Sequence, residues 1–416
     1  MARPLYSLLP WVAGILVSNL FFTQLLLDVI APDLGLGGGA SGLVATTTML
    51  GYAVGLVLVT PLSDLVENRI LILSNLLCTA SASAVAAFSQ SKFSFLLALF
   101  AIGVSSCVIQ IVTTLATFLA PAETRGRVIG GITSGLMLGI LLSRPVGSVI
   151  AGVFGWRAVY AISAGLALLL AVVLSRILPR RRPGAVLSYA ELVRSLVTVL
   201  YQEQTLRRRA ILAALCIGTF NLFWTTIAFR LAAPPFNLGH YGIALFAFAG
   251  VAGAIVAPLA GRVGDRGGIE PGSKVAHITL TAAMLLLGLG GTGWMRFDPM
   301  GSPGFALGLL LFGAVLLDCG VVGDQTLGRC AINLLRPEIR GRVNGLFTAT
   351  YFVGGAAGAA LGGLVWSSGS WSLVCAFGFA VGVVTLVLDL AGWSRWRPQE
   401  SQPGQARPLP SPTPPA

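Results

Sequence analysis

Twelve apolar runs dominate this chain: about residues 8–30, 40–62, 70–90, 93–119, 128–152, 158–178, 210–232, 240–260, 274–294, 304–334, 343–366 and 370–391. Each is about 18 residues or longer, the length at which an apolar run reads as a membrane-crossing helix. They are numbered spans 1 to 12 here, and the tenth is long enough to tilt or overrun. The fold class they imply is an all-α membrane protein. Only 10% of the residues are charged and mean hydropathy is +0.85. A soluble domain carries roughly a quarter charged residues, so this chain cannot cover its surface with water-facing side chains. The opening "MARPLYSLLPWVAGILVSNLFF" has the outline of a signal peptide. Its run is long, carries Asn19 and Gln24, and lacks a small-residue cleavage site, so it reads as the retained first helix.

The net charge of +12 would suit a nucleic-acid partner, but the placement of the charge argues against one. With a cytoplasmic N-terminus, the odd-numbered loops hold only Lys92, Arg157, Arg230 and Arg296. Arg144 and Arg329 lie inside spans, and every other Lys or Arg falls in an even-numbered loop or at a chain end. That asymmetry is the positive-inside pattern, and it places both termini in the cytoplasm. Cysteines 78, 107, 216, 319, 330 and 375 all fall within spans and form no CxxC pair. They read as small buried apolar side chains, with neither a disulfide nor a metal expected.

A repeat organises the chain. "RGRV" occurs at Arg125–Val128 and again at Arg340–Val343, 215 residues later, and Trp156 and Trp371 share that offset. The one long polar break, residues 176–209, separates six spans from six. The expected units are a bundle over 1–178, a cytoplasmic linker over 179–209, a second bundle over 210–392 and a disordered Pro-rich tail over 393–416. Within the linker, Leu192, Leu196, Val199 and Leu200 have helical spacing, which predicts an amphipathic helix on anionic headgroups. Two pseudo-symmetric six-helix bundles are the plan of parallel-repeat secondary transporters.

Polar side chains inside a bilayer are costly and usually face a partner or a water-filled cavity. Span 1 carries Asn19, Thr23, Gln24 and Asp28; span 4 carries Ser106, Gln110, Thr113 and Thr117 on one face; span 7 carries Asn221, Trp224 and Thr225. Span 10 carries Asp318, Gln325 and Arg329 on one face, with Asp324 on another. The first and fourth spans of each half therefore line the expected cavity. Asn19, Gln24, Gln110, Thr113, Asn221, Trp224 and Gln325 are its expected substrate contacts. Few charges and the aromatic neighbours Phe21, Phe22, Phe220 and Phe223 favour a largely apolar ligand.

Arg144 and Asp318 each need a partner or water, because an unpaired buried charge costs several kcal/mol. One reading is a structural ion pair of Arg144 with Asp28 or Asp318. The other is proton exchange at Asp318, Asp28 or Asp324 as the cavity switches sides. Arg329 can pair with Asp324 or Asp318, attract an anionic group, or snorkel to the membrane surface. Gly131, Gly135 and Gly139 in span 5, and Gly354, Gly358 and Gly362 in span 11, form small-residue ridges. They are expected to be the surfaces along which the halves rock.

Loop 8–9 reads "GRVGDRGG" at 261–268 and loop 2–3 contains "TPLSDLVENR" at 60–69. The first resembles the loop signature of the major facilitator superfamily, and the second resembles it with Thr60, Leu65 and Glu67 departing from the pattern. The resemblance implies that Asp64, Arg69, Asp265 and Arg266 latch the cytoplasmic ends of the halves, each carboxylate capping a facing helix. Arg125 and Arg340 of the "RGRV" loops are placed at the same gate.

Longer stretches, among them "LLSRPVGSVIAGVFGWRAVY" and "LRPEIRGRVNGLFTATYFVGGAAGAALG", resemble bacterial permeases of the efflux type. Two positions differ from the antiporter pattern: Arg144 stands where Gly usually precedes Pro145, and Leu99 where many drug–proton antiporters carry Arg. The resemblance implies a monomeric, multi-pass protein of the bacterial plasma (inner) membrane. It would export a small organic solute or drug by alternating access, driven by the proton gradient without a cofactor. Proton-coupled uptake of a small organic metabolite is the alternative. A polytopic enzyme is disfavoured, because His240 and His277 fall at opposite membrane sides and no HExxH or paired-acid motif occurs. A sensor or scaffold would need a soluble output domain, and the longest polar stretch is too short for one.

Overall fold

A computed structural model describes residues 3–36, 41–121, 125–181, 188–292, 298–335, 340–368 and 370–393. The described residues form helices and no strands. Eleven helices are long and apolar enough to cross a membrane, and a further apolar helix, Ser7–Ser18, begins span 1. Twelve helices in two sets of six fit the expected architecture.

Eight spans are continuous helices: Asn68–Phe88, Arg125–Phe154, Trp156–Ile177, Gln204–Ala232, Ile269–Thr292, Pro303–Asn333, Arg340–Ser367 and Trp371–Leu388. Their ends follow local chemistry. Ser370 Oγ accepts from the Leu373 N–H and caps span 12, and Pro303 opens span 10 where its missing donor costs nothing. Gly155 alone joins spans 5 and 6, at φ +81°, a backbone region that side chains with a Cβ rarely enter.

The other four spans are broken. Span 1 runs Arg3–Ser18, a 3₁₀ turn Phe22–Leu25, then Leu27–Asp33. Span 2 passes from Ser41–Val54 through a π turn at Gly55–Val59 into Thr60–Asp64, and span 4 breaks at Cys107. Span 8 runs His240–Phe246, a 3₁₀ turn Ala247–Gly250, then Val251–Asp265. Irregular turns inside helices tend to mark functional positions, and two of these carry residues of the site described below.

The glycine ridges have a different role from the one expected. A Cβ on Gly135 would lie 2.0 Å from Pro10 O, and one on Gly139 would lie 2.2 Å from Gly14 O. One on Gly358 would lie 2.0 Å from Gly218 O, and one on Gly354 would lie 2.3 Å from Ala214 O. The ridges thus press span 5 on span 1 and span 11 on span 7, each within one half. Backbone contact this close belongs to permanently packed helices, so the ridges are not the surfaces along which the halves rock. Gly139 and Gly354 are also 215 residues apart, so the same packing device recurs at the offset of the repeat.

The halves meet elsewhere. Thr46 Oγ1 donates to Ala356 O at 3.0 Å, and Tyr52 meets Phe352 edge-on at 4.5 Å, joining spans 2 and 11. Ser148 Oγ donates to His240 O at 3.1 Å, joining spans 5 and 8. Ser148, His240 and Ala356 all lie toward the odd-numbered loops, so the molecule is closed at that end.

The linker helix is Tyr189–Gln202. It opens on a capping box in which Ser188 Oγ accepts from Glu191 N–H and Glu191 Oε2 accepts from Ser188 N–H at 2.7 Å. The Ser188 N–H foremost, and then Ser188 Oγ, which donates to the same Oε2 at 2.8 Å, hold the Glu191 carboxyl below its ordinary value. Leu192, Leu196 and Val199 are buried against the bundle, and Tyr189 Oη donates to Leu58 O at 2.8 Å. The apolar face is therefore covered by protein rather than by headgroups, because the even-loop ends of spans 2 and 11 offer it a drier surface. The expected disordered tail lies, from residue 394 on, outside the described residues.

Candidate functional site

One buried network crosses the seam between the halves. The 3₁₀ turn of span 1 carries Gln24, and span 5 carries Arg144 just before Pro145. Span 7 brings Asn221 and Trp224 to the same place, and span 10 brings Asp318. All five are essentially inaccessible to water. Arg144 donates from Nε and Nη2 to Gln24 Oε1 at 3.2 and 3.1 Å. That fixes the Gln24 amide, whose Nε2 donates to Asn221 Oδ1 at 2.5 Å. Asn221 in turn donates from Nδ2 to Ile217 O at 3.0 Å.

The guanidinium of Arg144 lies in an aromatic cage, 4.3 Å from the Trp224 ring, 5.1 Å from Phe220 and 5.5 Å from Phe21. Aromatic faces attract a cation most where water is excluded. Trp224 then donates from Nε1 to Asp318 Oδ1 at 3.2 Å. The direct ion pair with Asp318 that the sequence offered for Arg144 is thus replaced by a relay, with an indole between the two charges. The charges still feel one another: a Cβ on Gly250 would lie 3.1 Å from Asp318 Oδ2 and 3.7 Å from Arg144 Nη1. The 3₁₀ turn of span 8 ends at this glycine, and its missing side chain lets the charges approach.

Not every expected contact lies here. Asn19 is buried, but it accepts from Ser163 Oγ at 2.5 Å and so faces span 6 within its own half. Thr113 donates to Ile109 O at 2.7 Å along its own helix, and Gln110 lies beside Tyr52. Gln325 is half-buried and Arg329 exposed. Buried Tyr52 and Tyr351, from opposite halves, lie near Arg329, so its exposure is to the space between the bundles. The network is therefore sealed toward the odd loops, and Arg329 is exposed on its even-loop side.

Asp64, Asp265 and Arg266 are exposed at the even-loop end, and the Arg69 guanidinium donates to Ser175 O of its own half. Among the described residues, no hydrogen bond or ion pair of these four bridges the halves. The side chains of Asp28, Arg125 and Arg340 lie outside the described residues.

Asp324 faces away from the cavity. His277 Nε2 meets Asp324 Oδ1 at 3.1 Å, and its Nδ1 meets Asp389 Oδ2 at 2.8 Å, all three buried. Catalytic spacing, the pattern against which the histidines are read in the sequence, gives no hint of this cluster. The signal that does is an ionisable residue within each of three spans, each needing a partner.

The Major Facilitator Superfamily profile matches residues 11–328. The chain belongs to this superfamily. It is 36% identical over 395 residues to the uncharacterized transporter YgaY of Escherichia coli strain K12, covering 95% of this chain and 97% of the relative. It is 28% identical over 322 residues to the chloramphenicol resistance protein of Streptomyces lividans, covering 75% and 76%. Among solved structures, a mutant of the nucleoside transporter NupG superposes with a TM-score of 0.73 at 14% identity, covering 93% of this chain and 99% of that one. Superfamily membership makes this protein a multi-span membrane transporter of the secondary type, and not an enzyme.

Proposed function

We propose that this transporter exports a small, largely apolar organic solute across the bacterial inner membrane in exchange for protons. It acts as a monomer without a cofactor, with both termini and the linker helix in the cytoplasm. The closed odd-loop end is then periplasmic, and the structure is the inward-open state of an alternating-access cycle. The observation that carries this reading is the Arg144–Trp224–Asp318 relay across the seam between the halves.

Opening the outer side draws span 5 away from spans 7 and 10. Asp318 loses the field of Arg144, and a desolvated carboxylate without a counter-charge takes up a proton. Closing the seam returns Arg144, and the proton leaves toward the open inner side. The aromatic cage of Phe21, Phe220 and Trp224 offers apolar surface with few polar anchors, which suits a largely apolar ligand. The likeness to a chloramphenicol resistance protein supports export as the direction.

Asp318→Asn in proteoliposomes tests the coupling. The neutral mimic is expected to keep binding ligand and exchanging it down a gradient, while losing transport driven by ΔpH. A stable Asp318→Asn protein with full pH-driven transport would overturn the assignment. So would a destabilised one rescued by also replacing Arg144, which would mark a structural pair. Accumulation inside right-side-out vesicles, driven by an inward proton gradient, would identify proton-coupled uptake instead.

A further inference from the structure

Cys216, His277 and Asp324 come from spans 7, 9 and 10. They bring a thiol sulfur, an imidazole nitrogen and a carboxylate oxygen within 4.8 Å of one another. All three residues are buried, inside the second bundle and apart from the Arg144 relay. Asp389, at the end of span 12, accepts from the other ring nitrogen of His277 at 2.8 Å. With the hydrogen on Nδ1, the Nε2 lone pair points at Asp324 Oδ1, 3.1 Å away. Two lone pairs at that distance repel unless a cation lies between them. Asp324 Oδ2 is also buried and has no hydrogen-bond partner among the described residues, which is costly for a carboxylate oxygen.

We infer that Cys216, His277 and Asp324 are ligands of a divalent transition-metal ion of the zinc class, with Asp389 as the positioning residue. One sulfur, one nitrogen and one oxygen form a donor set that suits Zn²⁺, for which three protein ligands leave a fourth position open. Bonds of about 2.0 to 2.3 Å place tetrahedral ligand atoms about 3.3 to 3.8 Å apart, a spacing that small side-chain rotations can reach from the present one. A carboxylate on the far nitrogen is the usual device for orienting a metal-bound histidine.

The buried charges of the cluster balance as well. Arg209 lies close enough to attract Asp324, Asp389 and Glu270, and the Tyr351 hydroxyl of span 11 lies near Cys216 and Asp324. Glu270 is only half-buried and keeps its water, so it stays outside the sum. A divalent ion and Arg209 offset the thiolate and the two carboxylates. Without metal, an imidazolium and Arg209 offset the two carboxylates beside a neutral thiol. Binding therefore displaces two protons, one from the Cys216 sulfur and one from between His277 and Asp324, and nothing is oxidised or reduced. Spans 7, 9, 10 and 12 belong to one bundle, so the ion staples that bundle in every access state. This reverses the expectation, drawn from cysteine spacing, that no metal is bound.

The test uses the purified full-length protein in detergent, stripped with a chelator and titrated with Co²⁺ as a spectroscopic probe. The expected result is a thiolate-to-cobalt charge-transfer band saturating at about one ion per chain, with a rise in Tm. Cys216→Ser abolishes the band, whereas Cys78→Ser, at an exposed cysteine, leaves it intact. Asp389→Asn keeps the band but weakens apparent affinity about 10- to 100-fold. Absence of the band in the wild-type protein overturns the proposal whether or not the variants fold, and means the cluster holds protons only. A band that survives Cys216→Ser overturns it equally.

Discussion

The guanidinium of Arg144 sits 4.3 Å from the centre of the Trp224 ring, and the two residues come from opposite halves of the chain. The same indole donates to Asp318, so one side chain receives a cation on its face and serves an anion with its edge. Each interaction polarises the ring in the direction that strengthens the other. Trp224 is thus the joint through which span 5 bears on span 10.

Trp224→Phe should separate these two functions. Phenylalanine keeps a face for Arg144 but has no N–H for Asp318. A hydrogen bond to a charged group is worth about 1.5–3 kcal/mol, so Tm should fall and pH-driven transport should weaken. Trp224→Leu also removes the aromatic face, worth about 2 kcal/mol where water is excluded. It should therefore be the less stable of the two in parallel thermal melts. Equal stability of both variants with the wild-type protein would show that the relay does not hold the seam.

Helical spacing made much of this site legible. Gln24, Asn221, Trp224 and Asp318 were readable as polar positions on the first and fourth spans of each half, and they do meet at the seam. Asn19 was grouped with Gln24, but residues five apart point about 140° apart on an α-helix. The 3₁₀ turn at Phe22–Leu25 leaves Asn19 on Ser163 instead. From the sequence, Arg144 needs water or a direct partner such as Asp28 or Asp318, because no spacing rule says that an indole from the other half will lie between it and an acid. The His277 cluster needs spans 7, 9, 10 and 12 to converge, and convergence is a property of packing rather than of periodicity. The loop motifs point to Asp64, Arg69, Asp265 and Arg266 as a candidate latch but carry no information on the conformational state, which depends on how the two halves pack.

The glycine contacts predict a sharp contrast along one helix. A Cβ on Gly358 would lie 2.0 Å from Gly218 O, whereas one on Gly345 would meet nothing within 4 Å. Gly358→Ala must push span 11 off span 7, and overpacking of this kind costs about 1–3 kcal/mol. Gly345→Ala only removes backbone freedom from a helix and should stabilise by up to about 1 kcal/mol. Thermal unfolding of the two variants should move in opposite directions, and a shared direction would count against the packing of spans 7 and 11.

Asp33, beyond the apolar run of span 1, gives a pH signature. The Arg157 guanidinium and then the Trp156 indole, at 2.9 Å, donate to its carboxylate and hold it below its ordinary value of 3.8. A depressed folded-state value stabilises the protein above pH 3.8, and that contribution is lost as pH falls through the lower folded value. The Asp33 and Arg157 side chains are each more than 40% exposed, so the effect is small, about 0–1 kcal/mol. Melting curves from pH 5 downward should show a decline for the wild-type protein that is shallower for Asp33→Asn. Parallel curves would mean that the pair contributes nothing.

The docked linker makes the membrane orientation testable. Ser188 is exposed at the start of a helix whose apolar face is buried against the even-loop ends of spans 2 and 11. If those ends are cytoplasmic, Ser188→Cys in a background without the native cysteines should resist an impermeant maleimide in intact cells. It should react in inverted vesicles. Removing the native thiols matters because Cys78 is exposed on span 3 and would contribute its own label. Leu196→Asp places a charge on the buried face, which should undock the helix and speed labelling in inverted vesicles without reversing its side. Rapid modification of Ser188→Cys in intact cells would place the linker outside the cytoplasm. The open cleft would then face the periplasm, and the inward-open assignment would fall with it.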